Sequence, residues 1–316
     1  MMPGETPLGP GAEFDAIREM LRRWGPRAAG IGDDAALLDI PAGQQLAVST
    51  DSSVEDVHFR RDWLTPREIG YRATVAALSD LAAMAASPVG LVSAIAVPDD
   101  WRSSLHEITD GIGEAAEAFR TLIVGGNITR GAQLSLTITV LGVVETPLRR
   151  STVQPGDALY VTGELGASAS ALRQLLAGAQ PSESHRRRFA RPVPRLAEAH
   201  WLRARGATAG IDISDGLVAE LQHLAAASGV RIHLDSAAVP VAHGASLDDA
   251  LRGGEEYELL IAGRGLDADS FAREYGLSLT GIARARAPMA GEAPGVDVVG
   301  LPDRVAPGGG HDHLSG

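Results

Sequence analysis

Carboxylates and hydroxyl-bearing side chains stand together near the start of the chain. Asp33 and Asp34 follow a glycine-rich run at 30–32, and Ser49-Thr50-Asp51 ends the apolar stretch from Gln45 to Val48. Burying adjacent carboxylates is costly unless a cation neutralises them. Mg²⁺ prefers carboxylate and hydroxyl oxygens. The pattern therefore indicates a divalent-cation site, with a solvated acidic turn as the alternative for Asp33-Asp34.

Asp80 lies among alanines and leucines in a predicted helix that begins at Pro66 and covers 69–86. A lone carboxylate on a buried helix is costly unless it is hydrogen-bonded or binds a cation. Capping or local hydrogen bonding is one interpretation. We favour the other, in which Asp80 is a metal ligand shared with Asp33 and Asp51.

Asp212, Ser214 and Asp215 lie where a predicted strand changes directly into a helix over 217–228. Ser214 or Asp215 would cap that helix, which accounts for one of them and leaves Asp212 unexplained. Gly216 comes one residue too soon for an EF-hand loop. The residues alone therefore leave Asp212 without an assigned role.

Two glycine-rich stretches could approach phosphate. Gly125-Gly126-Asn127 follows a short predicted strand at 121–124, and paired glycines in a turn expose backbone N–H groups. Residues 163–168 lead into another predicted helix, whose start could bind an anion. Each signal is weak alone because glycine turns are common.

Two further polar clusters occur near the C-terminus. Glu255 and Glu256 follow the glycine pair Gly253-Gly254 and precede an apolar strand. The run His311-Asp312-His313 is either a metal site or a solvated tail, and unaided the sequence favours the tail.

The composition excludes several mechanisms. The sequence contains no Cys, so it has no disulfide, thiolate nucleophile or cysteine-ligated zinc. It also contains no Lys, because every basic residue is Arg, so Schiff-base chemistry and the lysines of P-loop and protein-kinase sites are excluded. A phosphate-handling site in this chain would need metal ions, arginines or backbone N–H groups.

Length and charge indicate how many domains to expect and which partners are unfavourable. A chain of 316 residues, 45% hydrophobic and 22% charged, suits one large or two medium domains with a proper core. The net charge of −12 argues against nucleic acid or an anionic membrane as the main partner. With neither a signal peptide nor a long apolar run, we expect a cytoplasmic protein.

The periodicity predicts alternating helices and strands with a polar boundary near Arg149. We expect a disordered segment over 1–12 and two domains, over 13–147 and 148–316. The Arg- and Pro-rich stretch at 181–194 is predicted to be a surface connection.

Taken in order, these motifs resemble those of the thiamine-monophosphate kinases, in the aminoimidazole-ribonucleotide-synthetase (PurM-like) superfamily. The resemblance runs from about Phe14 to His313, and the ordered set is specific although each motif alone is not. The motifs are Gly-Asp-Asp at 32–34, Ser-Thr-Asp at 49–51, Val-His-Phe at 57–59, Leu-Ser-Asp-Leu-Ala-Ala-Met at 78–84, Gly-Gly-Asn-Ile-Thr-Arg-Gly at 125–131, Arg150 before Pro-Gly-Asp at 155–157, Ile-Asp-Ile-Ser-Asp-Gly-Leu at 211–217 and Gly-Gly-Glu-Glu-Tyr-Glu-Leu at 253–259.

The resemblance implies a two-domain PurM-like α/β (α+β) fold, with an N-terminal mixed sheet with helices and a C-terminal α+β sandwich. It implies ATP-dependent phosphorylation of thiamine monophosphate to thiamine diphosphate by direct phosphoryl transfer, in a homodimer. It also implies several Mg²⁺ ions, with metal ligands Asp33, Ser49, Thr50, Asp51, Asp80, Asp212 and Asp215, ATP contacts Gly126, Asn127, Arg150 and Ser214, and substrate contacts His58 and Glu255.

The chain departs from the family pattern at three places. Asn127 stands where the family has a metal-binding Asp, and is a neutral oxygen ligand at best. Glu256 replaces Asp. His311 stands where an aromatic residue packs on the substrate, with Leu314 in place of Phe. These departures leave two alternatives open, namely a related ATP-dependent enzyme with another acceptor and a nucleotide- or cation-binding protein without turnover.

Overall fold

The computed structural model describes residues 12–28, 31 and 35–300, which form two compact units. The first unit continues to Leu81 and resumes over Ala86–Thr146. The second comprises Ala82–Ala85 and the chain from Pro147 onward. Within the described ranges, no helix is both long enough and apolar enough to cross a membrane.

The first unit is built on a four-stranded sheet with strand order β1-β4-β2-β3. The strands are β1 (Gln45–Val54), β2 (Ser87–Val97), β3 (Ile123–Arg130) and β4 (Ser135–Val144). Strands β2 and β3 run parallel, whereas β4 is antiparallel to both of its neighbours. This is the mixed sheet that the sequence predicts. The helices are α1 (Ala12–Trp24), α2 (Pro66–Ala83) and α3 (Leu105–Ala118).

Two glycines allow helices α2 and α3 to approach each other closely. A Cβ on Gly70 of α2 would lie 1.9 Å from the Ile108 carbonyl oxygen, and one on Gly111 of α3 would lie 2.0 Å from that of Arg67. No side chain fits at either position. The glycines at 111 and 113 therefore serve helix packing, in agreement with the helical pattern around them and not with a dinucleotide-binding turn.

The second unit is built on a six-stranded sheet with strand order β10-β7-β9-β5-β8-β6. Its strands are β5 (Ala158–Thr162), β6 (Ala207–Asp212), β7 (Arg231–Asp235), β8 (Leu259–Gly263), β9 (Leu279–Arg286) and β10 (Gly295–Val299). Its helices are α4 (Ala167–Leu176), α5 (Glu183–Ala190), α6 (Leu196–Ala204), α7 (Leu217–Ser228), α8 (Leu247–Arg252) and α9 (Ala268–Tyr275).

Strand β8 shows how the second unit buries both faces of its sheet. Leu260 and Ala262 belong to one hydrophobic core, and the alternating residues Leu259 and Ile261 belong to another. Successive strand residues point to opposite faces, so a strand covered on both sides reads as one continuous apolar run. The fold is the two-domain α/β arrangement expected from the sequence.

The structure corrects three sequence-based expectations about elements. Residues 181–194 are not a surface connection, because they contain α5, whose Phe189 is fully buried. The short helix α8 and the edge strand β10 are not predicted from the sequence. Strand β3 extends to Arg130, so the glycine pair lies inside a strand and not in a turn.

Candidate active site

Strand β1 places two of the predicted metal ligands on one face of the first unit's sheet. Ala47, Ser49 and Asp51 alternate with more exposed residues, so they share the less exposed face. The Ser49 hydroxyl donates a hydrogen bond to Oδ2 of Asp80 on α2. Asp80 is partly exposed although Leu78 and Leu81 beside it are buried, because a helix turns successive side chains to different directions.

Thr50 lies on the other face of β1. Its hydroxyl forms a 3.0 Å hydrogen bond with the Thr139 hydroxyl across the strand pair. Ser52 and Thr137 repeat this contact at 2.8 Å two residues further along. The structure therefore places the Thr50 hydroxyl on the face opposite Ser49 and Asp51, and a metal role for Thr50 stays a prediction.

Gly126 lies in the same cross-strand row as Asp51. Asp51 pairs with Ile138, Ile138 pairs with Ser93, and Ser93 pairs with Gly126. A Cβ at Gly126 would lie 2.5 Å from the Ser93 carbonyl oxygen, so the close parallel pairing requires glycine. Asn127 is exposed and pairs with Ala94, one step outside this row.

His58 lies in the turn that follows β1. Its Nδ1 accepts a 3.1 Å hydrogen bond from the Val54 N–H. A neutral imidazole that accepts at Nδ1 carries its proton at Nε2. The turn includes Asp56 with a left-handed φ of 62°, a conformation that Asp adopts more readily than most residues. The backbone therefore fixes the tautomer and orientation of the ring.

In the second unit, β6 ends at Asp212, which is buried. The chain then turns through Ser214 and Asp215 to Gly216, whose φ of 113° is open to glycine but strained for other residues. Neither Ser214 nor Asp215 caps α7, because the helix begins after Gly216 without a side-chain cap. This corrects the capping interpretation.

Buried Glu220 on α7 holds this turn instead. Its Oε1 accepts hydrogen bonds from the Asp215 N–H at 3.1 Å and from the Ser214 hydroxyl at 3.3 Å. Burial raises the pKa of Glu220, while the Asp215 N–H and nearby Arg150 act in the opposite direction. Arg150 therefore lies close enough to act electrostatically on Glu220, and its contact with ATP stays a prediction.

The loop between α8 and β8 packs directly against the Ser214 turn. Glu255 N–H donates to the Ser214 carbonyl oxygen at 2.7 Å, and the N–H groups of Glu256 and Tyr257 donate to that of Ile213 at 3.1 and 3.0 Å. A Cβ on Gly254 would lie 2.4 Å from the Ser214 carbonyl oxygen. Two motifs about forty residues apart thus form one backbone assembly in the second unit.

The N–H groups at the start of α4 donate hydrogen bonds to a carboxylate of the same chain. Glu256 is buried, and its Oε1 accepts hydrogen bonds from the N–H groups of Gly166 at 2.9 Å and Ser168 at 3.1 Å. Burial raises the pKa of Glu256 to about 7, although Arg188 and the two N–H groups favour its charged form. The expectation that this helix start binds a ligand anion is therefore wrong.

A buried ion-pair cluster around Glu258 is missed by the sequence analysis. Glu258 accepts from Arg188 at 2.7 Å, from Arg195 Nε at 2.8 Å and from the Thr162 hydroxyl at 2.6 Å. Burial opposes its charge, but Arg188 and Arg195 hold the pKa of Glu258 below its usual value. A glutamate immediately before a wholly apolar strand is the signal that could have indicated a buried, paired carboxylate.

A cavity of about 470 Å³ lies in the second unit beside this cluster. Its lining includes Glu164, His185, Arg188, Arg195 and Glu258. The acidic and basic residues in this set balance each other, because Glu258 is already paired with both arginines. The lining therefore favours no single class of charged ligand.

The oxygen donors of the first unit suit a hard cation. Ser49 and Asp80 offer only hydroxyl and carboxylate oxygens, which is the donor chemistry that Mg²⁺ takes. Among the residues that the structure describes, no group of three or more His, Cys, Asp or Glu side chains could hold a metal ion. Asp33 and His311, both predicted site residues, lie outside the described ranges.

Comparison with protein families gives two matches that together span most of the chain. Residues 32–144 match the family model for the N-terminal domain of AIR synthase related protein. Residues 154–276 match the model for the C-terminal domain of the same family. These matches confirm the PurM-like fold predicted from the ordered motifs.

A curated relative shares substantial sequence identity over most of both chains. The thiamine-monophosphate kinase of Salmonella typhimurium is 40% identical over 245 residues, covering 73% of this chain and 74% of the relative.

Solved structures agree with this match. Thiamine-monophosphate kinase from Stenotrophomonas maltophilia K279a superimposes with a TM-score of 0.81 at 37% identity, covering 92% of this chain and 97% of that one. AaThiL complexed with AMPPCP and TMP gives a TM-score of 0.76 at 28% identity, covering 95% and 96%. The chain therefore belongs to the thiamine-monophosphate kinase family.

Proposed function

We propose that this chain transfers the γ-phosphoryl group of ATP directly to thiamine monophosphate, giving ADP and thiamine diphosphate. The observation that carries the proposal is the 40% identity to a thiamine-monophosphate kinase over most of both chains. The structural match to AaThiL complexed with AMPPCP and TMP supports both co-substrates. The reaction places the chain in thiamine diphosphate biosynthesis.

Phosphoryl transfer needs positive charge around the triphosphate, and this chain supplies it without lysine. We assign the metal-binding role to oxygen donors in both units, namely Asp33, Ser49, Asp51, Asp80, Asp212 and Asp215. Bound Mg²⁺ would neutralise charge on the phosphates as the transferring group moves. The hydrogen bond from Ser49 to Asp80 supports one such ligand pair, because it holds both oxygen donors together on a half-exposed surface.

The remaining assignments concern ATP and the acceptor. Gly126, Asn127, Arg150 and Ser214 would contact ATP, and His58, Glu255 and His311 would face thiamine monophosphate. The electrostatic effect of Arg150 on Glu220, which is hydrogen-bonded to Ser214 and Asp215, supports the nucleotide assignment. The fixed Nε2–H tautomer of His58 supports a donor role toward an anionic acceptor.

We also propose a cytoplasmic homodimer with domains over 13–147 and 148–316. The exposed apolar residues Leu46 and Val48 of β1 support an interface on the open face of the first sheet, being 45% and 58% exposed. The two family matches, at 32–144 and 154–276, support the domain division.

Incubation of the purified protein with Mg²⁺, ATP and thiamine monophosphate tests the proposal. Formation of thiamine diphosphate with an equal amount of ADP is the expected result. If ADP forms only with another phosphate acceptor, the protein is a related ATP-dependent enzyme and not a thiamine-monophosphate kinase. Tight nucleotide binding with no product under any acceptor would overturn enzymatic activity altogether.

A further inference from the structure

The loop before β8 contains two residues in strained backbone conformations. Glu255 has a φ of 60° and Tyr257 has a φ of 54°, in the left-handed region that side chains with a Cβ rarely adopt. Such conformations persist only when surrounding contacts fix them. The contacts that fix this loop therefore also decide where the Glu255 side chain lies.

One set of contacts holds the loop through its backbone. The N–H groups of Glu255, Glu256 and Tyr257 all donate to the carbonyl oxygens of Ser214 and Ile213. These bonds fix the loop against the turn after β6. They do not connect it to α4, which lies on the chain some ninety residues earlier.

The Glu256 side chain makes that second connection. Its Oε1 accepts from the N–H groups of Gly166 and Ser168, which belong to the first turn of α4 and its N-cap. Those donors have no partner within a helix, so a buried carboxylate satisfies them where water does not reach. The Glu256 residue is only 1% exposed, and Arg188 also donates to its carbonyl oxygen at 3.2 Å.

We propose that Glu256 is a positioning residue, whose carboxylate ties the loop at 253–257 to the first turn of α4 and so holds Glu255 at the substrate. The inference rests on the proposed role of Glu255 as a substrate contact. Glu256 itself is buried, and its Oε1 is bonded to the start of α4. Its effect on catalysis therefore passes through the conformation of its neighbour.

The test compares Glu256→Ala, Glu256→Gln and the wild type, with Asp267→Ala as the matched control. Asp267 caps α9 in the same unit through the Ser270 N–H, so its loss removes a helix cap away from the loop. Hydrogen exchange is followed at the amides of Gly166 and Ser168 and of residues 255–257. Steady-state kinetics give KM for thiamine monophosphate and kcat separately.

Glu256→Ala should speed exchange at α4 and at the loop together, and raise KM for thiamine monophosphate about tenfold with a smaller change in kcat. Glu256→Gln keeps an acceptor oxygen for the two N–H groups and should restore both readouts. Asp267→Ala should change neither. If Glu256→Ala does not fold, Glu256→Ser serves in its place, because its side chain is too short to reach both donors.

Faster exchange at Gly166 and Ser168 with an unchanged loop and unchanged KM would overturn the proposal, because Glu256 would then be only a cap for α4. Absence of thiamine diphosphate formation in the wild type overturns the proposed function instead. In that case the exchange measurement still decides whether Glu256 fixes the loop.

Discussion

Two carboxylates of the second unit and one of the first differ in their burial and in their hydrogen-bond partners. In the second unit, Glu256 and Glu258 are buried and accept hydrogen bonds from backbone N–H groups and arginines of the same unit. In the first unit, Asp80 is half-exposed and accepts from the Ser49 hydroxyl. Removing one partner of a buried ion pair destabilises a fold, whereas an accessible carboxylate among hydroxyl groups can bind a ligand. Burial and pairing thus distinguish Glu256 and Glu258 from Asp80, the candidate metal ligand in this comparison.

The largest expected effect is on activity, at Asp51. Asp51→Asn removes one charge from the proposed metal site and should lower kcat about 10³-fold or more, leaving the fold intact. The measurement is turnover at saturating Mg²⁺, with circular dichroism to check folding. Asp62→Asn, at an exposed position of the same unit, is the control. Near-normal turnover in Asp51→Asn would contradict the metal-binding role of Asp51.

The next largest effect is on stability, at Glu258. Glu258→Gln leaves Arg188 and Arg195 without their shared anion and should destabilise the second unit by about 3–5 kcal/mol. Denaturant unfolding followed by fluorescence measures this loss. Glu274→Gln, at an exposed position of α9, should change the unfolding midpoint little. Equal midpoints for the two variants would mean that the buried cluster is not what stabilises the unit.

A smaller effect is expected at Arg150, which tests whether the second unit also contributes to ligand binding. Arg150→Ala should raise KM for ATP about tenfold, since one charge-assisted hydrogen bond contributes about 1.5–3 kcal/mol. Arg149→Ala, at the exposed neighbouring position, should leave KM for ATP unchanged. An unaltered KM for ATP in both variants would mean that Arg150 is a solvated charge. Arg130 would then be the next candidate for the ATP contact.

The smallest effect is expected at Asn127, in the first unit. Asn127→Asp adds a carboxylate beside the row that contains Asp51 and Gly126, and should lower the Mg²⁺ concentration for half-maximal activity a few-fold. The constant for thiamine monophosphate should change little. Thr129→Asp, two residues along the same strand, controls for added charge alone.

Either contrary outcome at Asn127 is informative. A flat Mg²⁺ dependence would mean that the side chain at 127 does not contact metal. An inactive Asn127→Asp variant would mean that the site does not tolerate another negative charge.

The sequence by itself determined the family and most of the long elements. The spacing of apolar residues predicts α2, α7 and β4, because helical and strand periodicities are local properties of the chain. The ordered motifs predict the two-domain α/β fold that the family matches confirm. They also single out Ser49 and Asp80, which the structure joins by a hydrogen bond.

Only the tertiary structure decided which carboxylates are hydrogen-bonded to other residues of the same chain. Glu256 meets Gly166 across 90 positions, and Glu258 meets Arg195 across 63, so no local window of sequence contains these pairs. The same holds for Gly126, whose strand conformation depends on its close pairing with Ser93 of β2. Hydrogen bonding of buried polar groups depends on what the fold brings within 3 Å, and local propensity carries no information about that distance.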